Sequence, residues 1–301
     1  MANSILSARV LQSEAVAIAW VEARVWPDGP VCPHCGGVER IGKMGGKATR
    51  IGLWKCYQCR KQFTVKVGTV FEDSHVPMNL WLQAMYLLCS SKKGISSNQL
   101  SRTLGVTLKT AWFMSHRIRE AMRVVGMTPM GGAGAVIEAD ETYIGQVEGH
   151  SQRVQGGANK NIVLTLVECG GSARSFHVDG HSVGSIVPIV RENIARESRL
   201  MTDAARHYRR VGTEFAEHGT VDHAKEEYVR SDVHTNTVEG YYSIFKRGMK
   251  GVYQHCSEKH LHRYLAEFDF RYSNRVRLGV DDVERTARAV KGIVGKRLTY
   301  R

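Results

Sequence analysis

The sequence predicts an α/β protein with two unlike parts. The first part carries two closely spaced pairs of cysteines and a helical, strongly basic stretch. Apolar runs typical of strands, alternating with amphipathic helices, begin only at about residue 135. A glycine-rich stretch at 126–135, GMTPMGGAGA, lies between the two parts and is the best linker in the chain. The length of 301 residues also favours more than one domain.

Composition and charge exclude several classes of protein. Hydrophobic residues make up 43% and charged residues 24% of the chain, which excludes disorder throughout. No apolar run approaches the ~20 residues of a membrane span, and the N-terminus lacks the features of a secretory signal. We therefore expect a cytoplasmic protein with no membrane partner. The net charge is +13, of which +10 falls in residues 1–130, and this asymmetry favours a nucleic acid as the partner.

Four of the seven cysteines have the spacing of a metal site. Cys32 and Cys35 form one C-x2-C knuckle, and Cys56 and Cys59 form a second after a gap of 20 residues. Two such knuckles place four thiolates around one Zn²⁺, which leaves no position for water or substrate, so this zinc is structural. The pattern predicts a zinc ribbon. Basic residues beside the second knuckle are candidates for DNA contact: Lys55, Arg60 and Lys61. The other cysteines, expected to be buried in apolar surroundings, are Cys89, Cys169 and Cys256.

The segment 95–122 has the pattern of a helix-turn-helix that reads DNA. Ser96 or Ser97 caps a short helix, Gly105 forms the turn, and Thr107 caps a longer basic helix. An ordinary helical hairpin inside a bundle is the alternative interpretation. In the DNA-reading interpretation, the candidates for phosphate or base contact are Lys109, Thr110, His116, Arg117 and Arg119.

The pattern after residue 135 predicts a mixed sheet with helices. The predicted strands are 135–140, 161–168, 174–178, 199–202 and one around 220–223, and the predicted helices are 182–196, 235–250 and 257–275. A flexible basic loop is expected at 145–160. Three strands, a helix, a fourth strand and further helices match the order of an RNase H-like domain.

Acidic residues fall where such a sheet would bring them together. Asp140 ends the first predicted strand and Asp203 follows the fourth, so the two carboxylates come to neighbouring strand ends. In the helix 235–250, Glu239 follows Asp203 after 35 residues. Carboxylate oxygens suit Mg²⁺, and two Mg²⁺ ions about 3.5–4 Å apart activate a nucleophile and stabilise the leaving oxygen of a phosphodiester. Single acids at strand ends are often only solvated, so the order and placement of the set are what favour catalysis.

One face of the same helix is polar and the opposite face is apolar. The polar face consists of Asn236, Glu239, Ser243, Lys246 and Lys250, and the apolar face of Val238, Tyr242, Phe245 and Met249. Lys246, two turns after Glu239, is placed to hold a DNA phosphate. The later helix carries an apolar stripe for core packing, made of Leu261, Leu265, Phe268 and Tyr272.

Several long motifs resemble one protein family. They are DETYIG at 140–145, MTDAARHY at 201–208, HTNTVEGYYSIFKRGMKGVYQH at 234–255, SEKHLHRYLAEFDFRYSNR at 257–275 and the ribbon continuation RKQFTVKVGTVFE at 60–72. Together they are similar to bacterial insertion-sequence transposases of the zinc-ribbon, Merlin-related group (ISXO-like), which belongs to the DDE superfamily. The resemblance covers roughly residues 15–275.

The resemblance implies a Mg²⁺- or Mn²⁺-dependent transposase with an RNase H-like catalytic domain. It implies cleavage at the element ends, followed by attack of the freed 3′-hydroxyl on target DNA. Asp140 and Asp203 correspond to the first two metal ligands. For the third, some members have asparagine, which points to Asn236, whereas related families have glutamate; we favour Glu239 because it brings charge. His234 is either an assisting group or an exposed loop histidine.

The expected domain boundaries follow from these assignments. They are a zinc ribbon with an N-terminal helix at 1–75, a helix-turn-helix segment and linker at 76–130, an RNase H-like catalytic domain at 131–275, and a basic tail at 276–301. The expected partner is double-stranded DNA, namely element ends and target, and joining two ends requires at least a dimer on DNA. We expect the protein to be associated with the nucleoid.

Three other functions remain open at this level. A metal-dependent nuclease on the same fold would use Asp140, Asp203 and Glu239 but would not join strands. A DNA-binding regulator, such as a domesticated and inactive transposase, would need only the ribbon and the helix-turn-helix. A covalent recombinase using Tyr143 or a serine would work without metal and leave a protein–DNA adduct, and no supporting Arg/His set surrounds Tyr143.

Overall fold

The computed structural model describes residues 4–147, 149, 159–180, 182–221, 229–230 and 233–298, with the side chains of 229 and 230 excepted. The chain forms two compact units. The first comprises Met1–Ser91, Ile95–Arg123 and Asp281–Arg301, and the second Lys92–Gly94 and Val124–Val280. In the described part of the chain, no helix combines the length and the apolar character that crossing a bilayer requires.

Helices and strands are both present in the described residues. The helices are α1 (Arg9–Gln12), α2 (Glu14–Val25), α3 (Met78–Ser90), α4 (Ser97–Leu104), α5 (Leu108–Met122), α6 (Val183–Asn193), α7 (Arg206–Gly212), α8 (Asn236–Gly248), α9 (Glu258–Ser273) and α10 (Asp282–Lys291). The strands are β1 (Ile41–Lys43), β2 (Trp54–Cys56), β3 (Gln62–Phe63), β4 (Val136–Ile144), β5 (Asn161–Glu168), β6 (Ala173–Val178), β7 (Arg199–Asp203), β8 (Glu217–Val221), β9 (Val229–Arg230) and β10 (Val233–His234). A π-helical turn, Met249–Tyr253, continues α8.

The first unit is built around α3. Trp81, Leu82, Met85 and Leu88 of this helix are almost completely buried, and the helix contacts α2, α5 and α10. Each of these large apolar side chains contributes about 1.5–3 kcal/mol by leaving water. Pro77 directly precedes the helix, at a position where its missing N–H costs nothing.

A small antiparallel sheet, β1-β2-β3, forms the ribbon of the first unit. Trp26 at the end of α2 packs edge-on against Trp54 and Phe63, with ring centroids 6.2 and 5.8 Å away. Trp54 Nε1 donates a hydrogen bond of 2.7 Å to Glu22 Oε1 on α2. These contacts attach the ribbon to the preceding helix.

The capping residues expected for α4 and α5 are confirmed. Ser96 Oγ accepts a hydrogen bond from Gln99 N at 3.1 Å, and Thr107 Oγ1 accepts one from Thr110 N at 3.1 Å. Gly105 between the helices has a φ of +66°, in the left-handed region that glycine adopts without a steric penalty. Local side-chain chemistry therefore sets both helix starts and the turn.

The C-terminal segment differs from the basic tail expected for 276–301. Helix α10 belongs to the first unit and contacts α2, α3 and α5. Asp281 Oδ1 caps it by accepting a hydrogen bond from Glu284 N at 2.8 Å, and Arg285 Nη1 donates one of 2.9 Å to Cys89 O. The prediction of a tail rested on the basic residues at the end of this segment. It did not recognise that residues at helical spacing within the segment are buried.

A five-stranded sheet of order β6-β5-β4-β7-β8 organises the second unit. Strand β5 is antiparallel to both β4 and β6, whereas β7 is parallel to both β4 and β8. This is the mixed sheet expected of an RNase H-like domain. Strand β4 lies at the centre and pairs on both edges.

Each face of this sheet is covered by helices. On one face Ile137 and Ala139 of β4 pack with residues of α6 and α7. On the other face Ile144 of β4 packs with residues of α8 and α9. Successive strand residues point to opposite faces, so alternate residues of β4 reach two different sets of helices. The apolar faces expected for the last two helices are confirmed, because the following residues belong to this second cluster: Val238, Tyr242, Phe245, Met249, Leu261, Leu265, Phe268 and Tyr272.

Two details of the expected strands are corrected. Strand β4 does not end at Asp140 but continues to Ile144, because β5 supplies pairing partners to that point. The last strand, Glu217–Val221, begins earlier than the expected one around 220–223, of which 222 and 223 lie outside the described residues. Residues 148 and 150–158 of the expected basic loop also lie outside them.

Candidate functional site

The four cysteines of the ribbon converge. Their sulfur atoms all lie within 4.8 Å of one another, with 3.6 Å between Cys32 Sγ and Cys59 Sγ and 3.7 Å between Cys35 Sγ and Cys56 Sγ. A tetrahedral zinc site with Zn–S bonds of about 2.3 Å has sulfur atoms about 3.8 Å apart. The donor set and its spacing therefore fit a structural zinc.

The pKa shifts of the clustered cysteines are opposite in sign. Hydrogen bonds from the backbone N–H groups of Cys59 and Gln58 lower the pKa of Cys56 to about 7, whereas for Cys35 the hydrogen bond from Gly37 N–H is outweighed by burial and by the other three cysteines, which raise its pKa to about 12. Cys32 and Cys56 are buried with Phe63, and Trp26 and Trp54 pack against them. The metal site is thus part of the core of the ribbon.

The predicted DNA-contact residues of α5 fall into two groups. Lys109 is exposed near the start of the helix and Thr110 is half-buried. Arg117 and Arg119, however, are only 5% and 1% exposed, and His116 is fully buried. Burial removes these three side chains from any DNA surface, which corrects their prediction as contacts.

The buried arginines of α5 instead hold the first unit together. Arg117 Nη1 donates to Val70 O at 2.9 Å and to Glu72 O at 2.7 Å, and Arg119 Nη1 donates to Ser115 Oγ at 3.1 Å. Helix α5 contacts α3, α4 and α10, so it is enclosed on more than one side. Of the ribbon candidates, Arg60 and Lys61 are exposed and Lys55 is half-buried.

The second unit brings Asp140 and Asp203 to adjacent strands. Ala139 of β4 pairs with Thr202 of β7, and the next residue on each strand is the aspartate. Neighbouring strands are ~4.8 Å apart, so the two backbones lie side by side at these positions. Register, rather than a shared strand end, places the two carboxylates together.

Glu239 contributes to the same electrostatic environment. Burial raises the pKa of Asp140 to about 7, and repulsion from Glu141, Asp203 and Glu239 adds to this effect. Three other acidic groups, Glu141, Asp203 and Glu239, thus act electrostatically on Asp140. Within the described residues, the four cysteines are the one group of three or more metal-type ligands whose donor atoms all lie within 4.8 Å. The carboxylates are more widely spread than the thiolates.

Helix α8 presents the polar face that the sequence predicts. Asn236, Glu239, Ser243 and Lys250 are exposed and Lys246 is half-buried. Thr235 Oγ1 donates to Glu239 Oε1 at 3.3 Å, and Lys246 Nζ lies 5.9 Å from the centroid of the Tyr242 ring. Glu239 and Lys246 are therefore on the accessible side of the helix.

Sequence reasoning missed Glu138, whose side chain is completely buried two residues before Asp140. Its Oε2 accepts a hydrogen bond of 2.8 Å from the backbone N–H of Val238, in the first turn of α8. Its Oε1 accepts one of 3.2 Å from Cys169 Sγ and lies 3.1 Å from His234 Nδ1. A carboxylate at a helix N-terminus is favourable because it meets unpaired N–H groups and the positive end of the helix dipole. Glu138 therefore fixes the start of α8 against β4.

Two neighbours of Glu138 thereby acquire roles that the sequence did not indicate. Burial, followed by the charge of Glu138, raises the pKa of Cys169 to about 12, so the thiol keeps its proton and donates it. His234 is half-buried in β10 and is not the exposed loop residue considered above. The expectation that Cys169 is an apolar spectator is corrected.

Tyr242 makes a second connection between α8 and the sheet. Its hydroxyl donates to the backbone carbonyls of Asp140 and of Val163, the latter at 3.2 Å. Because Val238 and Tyr242 are one turn apart, α8 is bound to the sheet on both sides of Glu239.

Glu141 is the other acidic residue that the sequence did not single out. Its Oε1 accepts a hydrogen bond from the Tyr208 hydroxyl and lies 3.1 Å from His207 Nε2, both on α7. Burial lowers the pKa of His207, but contact with Glu141 outweighs it and raises the value overall. Asp203 Oδ1 accepts from Ala205 N at 3.0 Å, just before α7 begins. Helix α7 is therefore tied to both aspartate-bearing strands.

Comparisons with known proteins agree with this architecture. The ISXO2-like transposase domain matches residues 131–273, and a transposase zinc-ribbon domain matches residues 12–62. An uncharacterized protein in transposable element ISH50 of Halobacterium salinarum is 26% identical over 262 residues, which cover 82% of this chain and 86% of that protein. The chain therefore carries an ISXO2-like transposase domain at residues 131–273 and a transposase zinc-ribbon domain at residues 12–62.

Proposed function

We propose that this transposase binds the ends of its insertion sequence, cleaves phosphodiester bonds with two metal ions and transfers the strand to target DNA. The observation that carries the proposal is the pairing of Ala139 with Thr202, which aligns Asp140 and Asp203 beside the helix that bears Glu239. Mutually repelling carboxylates at one place are costly without a cation to neutralise them. The match to a transposase domain makes DNA the expected substrate of these carboxylates.

Asp140, Asp203 and Glu239 would hold the Mg²⁺ or Mn²⁺ ions, with Asn236 as the neutral alternative to Glu239. Their oxygen donors suit hard divalent cations, which supply activation of the attacking oxygen and stabilisation of the leaving oxygen. Lys246, on the exposed side of α8, would bind a phosphate of the DNA and hold the strand in place. Glu138 and Tyr242 keep the start of this helix, and with it Glu239, against β4.

The first unit would bind the DNA ends through residues that remain on its surface. These are Lys109 and Thr110 of α5, with Lys55, Arg60 and Lys61 of the ribbon. The structural zinc would hold the ribbon in shape. Joining two ends requires two catalytic sites, so we propose a dimer or higher oligomer on double-stranded DNA, associated with the nucleoid.

A cleavage and joining assay tests this function. The zinc-loaded full chain is incubated with a labelled duplex that carries the terminal sequence of its element and with a supercoiled target plasmid, with Mg²⁺ or without added Mg²⁺ and Mn²⁺. The variants are Asp140→Asn and, as a matched control, Asp179→Asn, which changes an exposed carboxyl of the same unit. We expect cleaved and joined products that require Mg²⁺ and Asp140 but not Asp179.

The other outcomes would each contradict the proposal in a different way. Cleavage without joining would identify a nuclease. Binding of the terminal sequence with no cleavage would identify a regulator. A protein–DNA adduct formed without Mg²⁺ or Mn²⁺ would identify a covalent recombinase.

A further inference from the structure

Helix α7, directly after Asp203, has two faces of different chemistry. His207, Tyr208, Val211 and Gly212 are buried. Arg206, Arg209 and Arg210 are exposed. Positions i, i+3 and i+4 of a helix lie on one side, about 5–6 Å apart, so the three guanidinium groups share one face. In this segment, only Asp203 was predicted to belong to the catalytic site.

The arginine face carries uncompensated charge within the described part of the chain. None of the three, Arg206, Arg209 and Arg210, forms an ion pair with another described residue. Two exposed arginines elsewhere in the second unit differ, because Arg191 and Arg196 both pair with Glu214. A helix face that groups three such cations has an electrostatic reason to meet a polyanion.

The buried face of the helix fixes this cationic face relative to the acidic site. Tyr208 and His207 contact Glu141, the neighbour of Asp140, and Arg206 lies three residues after Asp203. Burial, followed by the charge of Glu141, raises the pKa of Tyr208 well above its usual value, so its hydroxyl stays a donor. The arginines are therefore carried by a helix that is connected to both aspartate-bearing strands, through Glu141 on β4 and through the Ala205 N–H bonded to Asp203 Oδ1 on β7.

We propose that Arg206, Arg209 and Arg210 form a phosphate-binding face that holds the DNA backbone beside the cleavage site. This inference rests on the proposed function, because the acidic site provides the reason for DNA to lie here. Five donors on each guanidinium group suit phosphate oxygens, and backbone contacts position DNA without reading its sequence. The face would accordingly serve element and target DNA alike.

A salt-dependent binding assay tests the proposal without any cleavage. The zinc-loaded full chain, in buffer without Mg²⁺ or Mn²⁺ and without a chelator, is titrated into a fluorescently labelled duplex of arbitrary sequence at several KCl concentrations. The test variant replaces Arg206, Arg209 and Arg210 with alanine. A charge-matched control replaces Arg191, Arg196 and Arg288, whose charges are already paired with Glu214 and Glu284. A third variant, R206K/R209K/R210K, keeps the charge and tests the fold of α7.

We expect the alanine test variant to bind at least about 10-fold more weakly and the slope of log K against log[KCl] to lose about 2–3, at about 0.9 per phosphate contact. The paired-arginine control and the lysine variant are expected to keep most of the wild-type slope. An unchanged slope in the test variant, or an equal loss in the control, would overturn the proposal. Because the assay contains no Mg²⁺ or Mn²⁺, its result is independent of whether the wild-type chain cleaves and joins DNA.

Discussion

The cysteine cluster of the first unit and the carboxylate cluster of the second are both made of metal-ligand side chains, but they differ in closeness. The four sulfur atoms lie within 4.8 Å of one another, whereas no set of three described carboxylates reaches that closeness. A closed set of four thiolates satisfies a metal completely and serves structure. In the proposed function, the more widely spread carboxylates would bind catalytic cations and still leave coordination positions for a substrate.

The two clusters also differ in how the chain assembles them. The cysteines of each knuckle are three residues apart, and the ribbon joins the knuckles across one short sheet. The carboxylate cluster depends on distant contacts: Glu138 meets Val238 across 100 residues, and Tyr208 meets Glu141 across 67. The cysteine cluster therefore depends mainly on residues close in sequence, whereas the carboxylate cluster depends on tertiary contacts between distant residues.

The largest effect is expected from removing the zinc. Cys56→Ser, or treatment with a chelator, takes away the metal that couples to folding of the ribbon, a contribution of about 10–16 kcal/mol in small zinc domains. We expect the ribbon to unfold, with loss of DNA binding and of protection of 26–65 from hydrogen exchange. The sheet of the second unit should keep its protection; if it unfolded as well, the separation of the two clusters would be wrong.

The next largest effect tests which side chain on α8 is the third metal ligand. Glu239→Gln removes a charged ligand, and we expect cleavage to fall about 10³-fold, which corresponds to about 4 kcal/mol. Asn236→Ala removes a neutral group and should cost about 10-fold. Single-turnover cleavage at several Mg²⁺ concentrations measures both. The reverse order of effects would assign the ligand to Asn236.

Arg117 should matter for stability and not for DNA contact. Arg117→Ala leaves the carbonyls of Val70 and Glu72 without their buried donor, and we expect a loss of about 2–4 kcal/mol in the free energy of unfolding. Denaturant unfolding of the zinc-loaded chain measures this loss. A stable variant that bound DNA poorly would restore the original prediction for this residue.

Glu138 should act through the position of α8. Glu138→Gln weakens the interaction with Val238 N–H at the helix start, and we expect cleavage to fall about 10-fold or more while DNA affinity stays unchanged. The matched control is Glu192→Gln, which changes an exposed carboxyl of the same unit. An equal fall in affinity would mean that Glu138 supports the fold generally.

The smallest effect is expected at Lys109. Lys109→Ala removes an exposed cation, so stability should not change, and the slope of log K against log[KCl] for element DNA should fall by about 1. Comparing Lys109→Ala with Arg117→Ala, two turns along the same helix, distinguishes the effect of an exposed side chain on DNA binding from the effect of a buried one on stability. An unchanged slope would remove Lys109 from the DNA-binding surface.

Local features were the ones that the sequence predicted well. The caps at Ser96 and Thr107, the turn at Gly105 and strand 161–168 match the structure because neighbouring residues determine them. The burial of both Arg117 and Arg119 of α5 was not predicted because helical periodicity identifies one buried stripe, whereas α3, α4 and α10 enclose more of this helix.

The sequence by itself determined the zinc ribbon and the order of the five strands of the larger sheet, because these depend on spacing and periodicity along the chain. Only the tertiary structure decided the register of Ala139 with Thr202, the burial of Glu138 under α8, the arginine face of α7 and the return of α10 to the first unit. Each of these depends on residues far apart in sequence, and packing and hydrogen bonding between elements select their partners.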